Sequence, residues 1–168
     1  DMTIRVDKCH SFGMRKVKSS SKQVQPKLYI NNQLIPPIKD NESFLYLGRY
    51  FDFKMSNSEH KENILKIINS NMDIIDKLPL HPKNKLKLYH RYVLSKISWD
   101  LTVADISETW LKNNIDNIIS KFLRSWLEIP ISGSLEALSL SHSKHGFKFV
   151  KVSTRAVQCR VNFRSKIS

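Results

Sequence analysis

A short stretch of uncompensated cations is the part of the chain whose residue types and spacing indicate chemistry. Residues 81–99 contain no acid and five cations, namely Lys83, Lys85, Lys87, Arg91 and Lys96. Pro82 suits the first position of a helix, where its missing N–H is no loss, and Lys83, Lys87 and Arg91 share one helix face at four-residue spacing. Because like charges on one face repel each other, the pattern predicts a helix that binds an anionic partner; the alternative is a solvated helix face.

Catalytic and metal-binding motifs do not accompany these cations. The chain has no glycine-rich phosphate loop, no nucleophile elbow and no zinc-binding helix motif. His142 and His145 have no carboxylate or thiol at ligand spacing, which favours surface or capping histidines over a metal site. Asp7 is the only acid near Cys9 and His10, and a nucleophile–base pair there would need a third group. We therefore expect no metal site, and the residues by themselves indicate binding rather than catalysis.

The composition favours an anionic partner for the whole chain. Among 168 residues there are 28 Lys and Arg against 15 Asp and Glu, a net charge of +13, which points to nucleic acid, an acidic protein or an anionic membrane surface. Hydrophobic residues make up 40%, enough for a real core. Two distant cysteines, no apolar run of membrane-span length and no signal-peptide layout predict an intracellular protein without a disulfide framework. The first residue is Asp1 rather than Met, which we interpret as the mark of a fragment.

The first 55 residues predict β structure. Strand-like runs occur at residues 3–6, 12–17 and 44–53, and the polar run at 19–23 predicts a loop. Asn31 and Asn32 tolerate the left-handed conformations that a two-residue hairpin needs. Gly48, inside the last run, indicates a bulge, a turn or the close approach of another backbone.

Three helices are predicted to follow. In the first, Ser56 and Glu59 form a capping box, and the apolar stripe that runs to about Lys77 is Ile64, Ile67, Ile68, Met72 and Ile75. The basic helix is the second, and a short connection predicts antiparallel packing. The third runs from Ser107 to about Leu127, with an apolar face of Leu111, Ile115, Ile118, Phe122 and Trp126.

The C-terminal residues predict a second basic surface. Residues 135–140 suggest a helical segment, His145 and Gly146 a turn, and Ser153 the cap of a last helix with Val157 and Val161 on its apolar face. Residues 141–168 contain seven Lys or Arg and no acid. The three tryptophans, Trp99, Trp110 and Trp126, fall at or beside apolar helix positions, so we expect them in the core rather than as base-stacking surfaces.

Several stretches, taken in order, resemble one family. VDKCHSFG at 6–13, FLYLGRYF at 44–51, LHPKNKLKLYHRYVLSKISW at 80–99 with the following VADIS and RSWLEIPIS, and HGF at 145–147 carry the resemblance. They resemble the C-terminal part of the reverse transcriptase of a non-LTR retrotransposon: the strand after its catalytic aspartate motif, its primer-grip hairpin, its helical thumb and the glycine-containing segment beyond. The resemblance covers nearly all of the chain.

This resemblance implies an α+β fold, in which a small antiparallel β region is followed by a mostly α-helical thumb bundle. The implied domains are a palm-end and primer-grip β region at 1–55, a helical thumb at 56–130 and a basic C-terminal extension at 131–168. It also implies a fragment of an RNA-directed DNA polymerase of a retroelement, located in the cytoplasm and nucleus. The implied partners are an RNA–DNA or DNA primer–template duplex and the missing N-terminal palm and fingers of the same polyprotein, with no membrane.

The family's catalytic aspartates are not present in the chain. Two-metal phosphoryl transfer needs such carboxylates, and the family's aromatic-Ala-Asp-Asp turn is absent. We therefore expect the fragment to be inactive alone, with Mg²⁺ a cofactor of the full-length polymerase only. The resemblance implies that Lys8 contacts the phosphates of the incoming nucleotide or acts as a general acid; the alternative is one more cation on a basic surface.

The resemblance also implies which residues bind the nucleic acid. Leu47, Gly48 and Arg49 match the primer-grip turn, and Lys83, Lys87, Arg91 and Lys96 would lie along the duplex backbone. Such phosphate contacts position a duplex without reading its sequence, and they weaken steeply with salt. Two alternatives remain open: a non-enzymatic nucleic-acid-binding helical domain, and a helical module whose basic face meets an acidic protein or a membrane surface.

Overall fold

The computed structural model describes residues 4–40, 42–144 and 146–165. The chain divides into two compact units, 1–59 and 60–168. The first contains short antiparallel strands and the second contains helices, so the predicted α+β class is confirmed. In the described ranges, no helix is both long enough and apolar enough to cross a membrane.

Three two-stranded hairpins form the β unit. They pair β1 (Gly13–Val17) with β2 (Ser20–Val24), β3 (Tyr29–Ile30) with β4 (Gln33–Leu34), and β5 (Phe44–Tyr46) with β6 (Arg49–Phe51). Asn31 and Asn32 have φ of 49° and 59°, and Leu47 and Gly48 have φ of 49° and 75°. Positive φ at both central residues is what a type I′ hairpin requires. The predicted hairpin at Asn31 and Asn32 is confirmed, and Gly48 belongs to a turn.

Two assignments in this unit were wrong, one strand and one loop. Within the described part of 3–6, the chain has no strand, and Val6–Lys8 forms a 3₁₀ turn; Thr3 lies outside the described residues. The predicted loop at 19–23 is mostly strand β2, whose side chains are almost all exposed. It lacks the alternation of apolar and polar residues by which a strand is recognised, because neither of its faces is buried. The strand-like run at 44–53 contains two paired strands, with Gly48 in the turn between them, which is one of the possibilities that this glycine indicated.

Helices dominate the second unit. They are α1 (Ser58–Lys77), α2 (Pro82–Leu88), α3 (Leu94–Val103), α4 (Glu108–Leu111), α5 (Asn117–Leu127) and α6 (Val152–Arg164). A π-helical turn, Tyr89–Val93, joins α2 to α3, and another, Lys112–Asp116, joins α4 to α5. Short 3₁₀ turns lie at Glu136–Ser139 and His142–Lys144. The three helices predicted from the sequence are thus confirmed, the second and third each containing a π turn.

The helix faces that pack together form one apolar core. The stripe predicted for α1 is confirmed, with Ile67 half-buried and the rest buried. In α5 the buried residues are Ile119, Leu123 and the predicted Trp126, whereas Ile118 and Phe122 are only half-buried. A π turn takes more residues per revolution than an α-helical turn, so the preceding π turn moves the first two buried positions of α5 by one residue, from Ile118 and Phe122 to Ile119 and Leu123.

Helix starts follow the sequence at two positions and depart from it at one. The ring of His81 accepts a hydrogen bond from the Lys83 N–H at 3.2 Å, with Pro82 at the first helical position. Ser107 caps α4 in the same way. The predicted capping box at Ser56 was wrong: α1 begins two residues later, and the Ser56 hydroxyl donates to Asp52 at 2.6 Å.

The C-terminal segment packs on the helices through residues other than those predicted. Asp116 accepts from the Val152 N–H at 2.9 Å and from the Ser153 hydroxyl at 2.6 Å, so a carboxylate from another helix supplies the cap expected from Ser153. The buried face of α6 contains Val152 and Ala156, whereas Val157 and Val161 are exposed, and the predicted apolar face was wrong. The two hydrogen bonds to Asp116 fix the start of α6, and the helix face that begins with Val152 and Ser153 is the one that is buried. Of the predicted turn at 145–146, His145 lies outside the described residues.

The three tryptophans do not share one environment. Trp126 is buried, and its indole N–H donates to Asp76 at 2.6 Å. Trp110 is half-buried, with the Lys61 ammonium 5.4 Å from its ring centre. Trp99 has 52% of its surface exposed, so its expected core position was wrong. It lies next to an apolar position of α3 but not on it.

Candidate nucleic-acid interface

A groove of about 730 Å³ runs along the basic helix of the second unit. One wall consists of α2 and the following π turn, and the other of the loop around residues 142–148. The lining residues are Lys83, Leu86, Lys87, His90, Arg91, His142, Gly146, Phe147 and Lys148. Three of the predicted binding residues, Lys83, Lys87 and Arg91, therefore lie in one cavity.

Positive charge in the groove is not neutralised by acids. Lys83, Lys87, Arg91 and Lys148 are exposed, and no carboxylate is among the described residues that line the groove. None of the ion pairs found among the described residues involves these four cations. Positive charges that are held close together repel each other, and an anion bound between them reduces that repulsion. The arrangement is suited to a molecule with several negative charges.

The basic helix is fixed in place at both ends of this wall. The cap from His81 determines where α2 begins, and therefore which side of the helix presents Lys83 and Lys87. Tyr89, in the π turn, is buried; its hydroxyl donates to the Val150 carbonyl at 3.0 Å and its ring stacks on Phe149 with centres 5.2 Å apart. Burial raises the pKa of the Tyr89 hydroxyl well above its usual value. Tyr89 thus remains protonated and links the two walls.

The second wall is a tight loop that presents Lys148. The backbone N–H of Gly146 donates to the Ser141 carbonyl at 3.0 Å, and the backbone N–H of Lys148 donates to the Leu140 carbonyl at 2.9 Å. A Cβ at Gly146 would lie 2.1 Å from the Leu140 carbonyl oxygen, so the backbones approach more closely than any larger residue allows. Lys148 itself has a φ of 51°, which is uncommon for a residue with a side chain. The loop accepts this strain at the residue whose charge faces the groove.

Two histidines contribute polar groups to the same groove. Burial lowers the pKa of His90 below its ordinary value, so its ring is neutral at pH 7 and its Nε2 accepts from the Val150 N–H at 3.4 Å. The Nδ1 of His142 lies 3.0 Å from the Gly146 carbonyl oxygen. The lysines and the arginine give the groove its permanent positive charge.

Sequence reasoning missed His90, His142 and Lys148 as residues of the groove. The last of these lies in the acid-free segment 141–168, which was predicted to form a basic surface, but no spacing in the sequence relates it to Lys83 or Lys87. The loop reaches the helix through contacts between residues about 60 apart, such as Val150 with His90. A spacing pattern within one helix does not contain that information.

Lys96 and Lys85, from the same basic stretch, lie outside the groove lining. The Lys96 ammonium donates to the Asn71 side chain at 3.2 Å and lies 4.1 Å from the Tyr92 ring centre. The Lys85 ammonium donates to the Asp76 carbonyl at 2.7 Å. The basic helix therefore presents charge on more than one side.

Four predicted residues lie in the β unit. Lys8 ends the 3₁₀ turn Val6–Lys8 and is exposed. Leu47 and Gly48 form the turn between β5 and β6, where Leu47 has 77% of its surface exposed. The Arg49 guanidinium lies 5.2 Å from the Phe51 ring centre. The turn thus presents its backbone and a large apolar side chain to solvent.

Metal-ligating side chains are not clustered in the described ranges of the chain. Within them, no group of three or more His, Cys, Asp or Glu residues could hold a metal ion.

No protein-family model matches the chain, and no curated protein matches it significantly.

Proposed function

We propose that the helical unit binds the sugar-phosphate backbone of a nucleic-acid duplex in its basic groove. The observation that carries this proposal is the set of four cations in one groove whose described lining contains no carboxylate. Backbone phosphates are the closely spaced anions that such a groove fits, and Lys and Arg are the side chains that bind them in proteins. The net charge of +13 favours the encounter with a polyanion.

The dimensions of the basic helix fit this ligand. Lys83 and Arg91 are eight residues apart, which corresponds to about 12 Å along a helix at 1.5 Å per residue. A duplex rises about 3.4 Å per base pair, so the helix face covers the phosphates of three to four pairs. Lys148, from the opposite wall, can contact the same backbone from its other side.

Within this proposal, the chain is the thumb and the neighbouring β region of an RNA-directed DNA polymerase of a retroelement. The support is the order of the stretches at 6–13, 44–51 and 80–99, which resemble that family. The duplex would then be an RNA–DNA or DNA primer–template, with the turn at Leu47, Gly48 and Arg49 against the primer and Lys8 near nucleotide phosphates. The palm and fingers of the same polyprotein would supply the catalytic aspartates and Mg²⁺.

The test is binding of a short RNA–DNA hybrid across a series of salt concentrations. The groove variant carries Lys83→Gln, Lys87→Gln and Arg91→Gln. Each phosphate contact contributes about 0.9 to the slope of log affinity against log salt on B-form DNA, so loss of three contacts lowers the slope by roughly 2 to 3. Fluorescence anisotropy of a labelled hybrid gives both the affinity and the slope.

A matched control removes the same charge elsewhere in the helical unit. Lys66→Gln, Lys77→Gln and Lys121→Gln change exposed lysines that do not line the groove. We expect this control to keep most of the wild-type slope. Equal effects of the two triple variants would contradict the proposal, as would tighter binding to anionic lipid vesicles than to the hybrid at the same salt concentration.

A further inference from the structure

Two large aromatic side chains are exposed on the basic helix, outside the groove. Tyr92 has 51% and Trp99 has 52% of its surface accessible, and Lys96 lies between them in the chain. Spacings of four and three residues place all three on one helix face. The helix therefore presents a cation between two accessible rings, a combination that the packing of the core does not require.

The cation of this face is held in a fixed position. The Lys96 ammonium donates to the Asn71 side chain at 3.2 Å and lies 4.1 Å from the Tyr92 ring centre. Asn71 is itself buried, and its amide donates to the Ile67 carbonyl at 2.6 Å. A lysine that is already ordered loses less conformational entropy on binding an anion than a mobile one does.

Nearby carboxylates do not neutralise this face. Asp100 directly follows Trp99, but it is buried, and its oxygens lie 2.7 Å from His60 Nδ1 and 2.9 Å from Asn63 Nδ2. On α1, Asp73 is two residues from Asn71 and therefore points to the other side of that helix. The face therefore carries a net positive charge, which is complementary to the negative phosphates of a nucleic-acid strand.

The position of this face places it beside the groove. Tyr92 directly follows Arg91, the last groove cation of the helix, and Trp99 lies seven residues further on. Seven helical residues span about 10 Å, which is close to the length of three stacked bases at about 3.4 Å each. A strand that leaves the groove can therefore pass from the cations onto the rings.

We propose that Tyr92, Lys96 and Trp99 form a stacking surface for two or three unpaired nucleotides that continue from the duplex in the groove. The rings stack on the bases, and the ammonium contacts the phosphate between them; stacking of this kind tolerates every base sequence. This inference rests on the proposed function and adds a ligand to it, the junction between a duplex and a single strand.

The experiment compares two ligands that differ only in a single-stranded end. One is a blunt RNA–DNA hybrid, and the other is the same hybrid with a six-nucleotide overhang, each tested with either strand extended. The full 168-residue chain binds the overhang ligand at least tenfold more tightly, since the loss of one stacked base costs about that factor or more. The intrinsic tryptophan fluorescence is quenched by the overhang ligand more than by the blunt hybrid.

The variant that tests the rings is Tyr92→Leu with Trp99→Leu, which keeps apolar bulk at both exposed positions. It loses the preference for the overhang and keeps the wild-type affinity for the blunt hybrid. Tyr29→Leu, which changes an exposed tyrosine of the β unit, keeps the preference and serves as the control. Circular dichroism at 222 nm verifies that each variant retains its helices.

The outcomes separate this inference from the proposed function. Equal wild-type affinity for the two ligands, or a preference that survives in the double leucine variant, overturns the stacking surface while salt-dependent blunt binding leaves the groove proposal intact. Failure of the groove proposal is seen instead with the blunt hybrid and the triple glutamine variants. Self-association of the free chain that the double leucine variant abolishes would show that the face holds a second copy, and it would also overturn the stacking surface.

Discussion

The β unit and the helical unit differ in how much of their apolar surface is buried. Within the described residues up to 59, the buried apolar side chains are Ile35 and Ile38, whereas the helical unit buries 21 in one connected core. The β unit leaves Met14 and Tyr46, among others, exposed. Its three sheets have two strands each, and an isolated two-stranded hairpin is marginally stable in water.

This difference in apolar burial indicates that the helical unit is the part of the molecule that is stable without a partner. Stability comes chiefly from apolar burial, so the helical unit provides a rigid support for the groove. The β unit relies on turn geometry and on a few aromatic contacts, such as Phe44 stacked on Phe51 with ring centres 5.6 Å apart. A unit of this kind gains stability when a partner covers its apolar side chains.

The strongest test of the comparison is the same substitution in both units. Ile68→Ala removes a fully buried side chain of the helical core and Ile38→Ala a buried side chain of the β unit. We expect the first to lower the free energy of unfolding by about 2–5 kcal/mol and the second by clearly less, because its surroundings can relax. Denaturant unfolding followed at 222 nm measures the helical unit, and amide hydrogen exchange measures the β unit. Equal losses would mean that the β unit has a well-packed core of its own.

The next test concerns the connection between α6 and the remaining helices. Asp116→Ala removes the acceptor for the Val152 N–H and the Ser153 hydroxyl, and we expect a loss of about 1–3 kcal/mol. Hydrogen exchange should increase most in α6. Asp73→Ala, which removes an exposed carboxylate from α1, is the control and should have little effect.

A third test aims to strengthen the β unit. Leu47 has a positive φ in the turn between β5 and β6, which costs roughly 1–2 kcal/mol for an ordinary residue. Leu47→Asn should slow hydrogen exchange in this hairpin by stabilising it by about 1 kcal/mol. Leu45→Asn makes the same change at a strand position and should not stabilise. A hairpin unchanged by Leu47→Asn would show that the turn does not limit its stability.

The smallest expected effect is a pH dependence from His90. Burial lowers its pKa from 6.5, so the unfolded chain binds more protons than the folded one as the pH falls below about 6.5. This contribution to stability is complete above that pH and is lost as the pH falls toward the lowered pKa. The melting temperature of His90→Gln should therefore decrease less between pH 7.5 and 5.5 than that of the wild type. His10→Gln, at an exposed position, should behave like the wild type.

The sequence predicted the helices well because their signals are local. Pro82, the apolar stripe of α1 and the start of the third helix at Ser107 are signals within a few residues, and all three predictions are confirmed. The π turns were not predicted, since no residue type marks them. They decide that Ile119 and Leu123, rather than Ile118 and Phe122, face the core.

Because sequence signals are local, only the part of the candidate site that lies on one helix could be predicted. Lys83, Lys87 and Arg91 follow from spacing in one helix, whereas Lys148 reaches the groove through the fold of a loop. The exposure of Trp99 was not predicted because a large aromatic residue was assumed to be buried. The helical periodicity of α3 instead buries Ile97 and Leu101, which lie on either side of Trp99 in the chain. Tertiary packing, which the spacing of residues within one helix does not specify, determines which residues reach the groove and which are buried.

The cap that Asp116 gives to α6 also bears on the order in which the groove is assembled. Its partners are 36 and 37 residues away in the chain, and contacts of such separation form later than the helices they connect, since a helix forms within about a microsecond. The cationic wall at 82–93 is local and can form early, whereas the contacts of Val150 with Tyr89 and His90, which hold the Lys148 loop against it, join residues about 60 apart. During synthesis, the basic helix therefore leaves the ribosome, itself rich in RNA, before the groove that confines it exists.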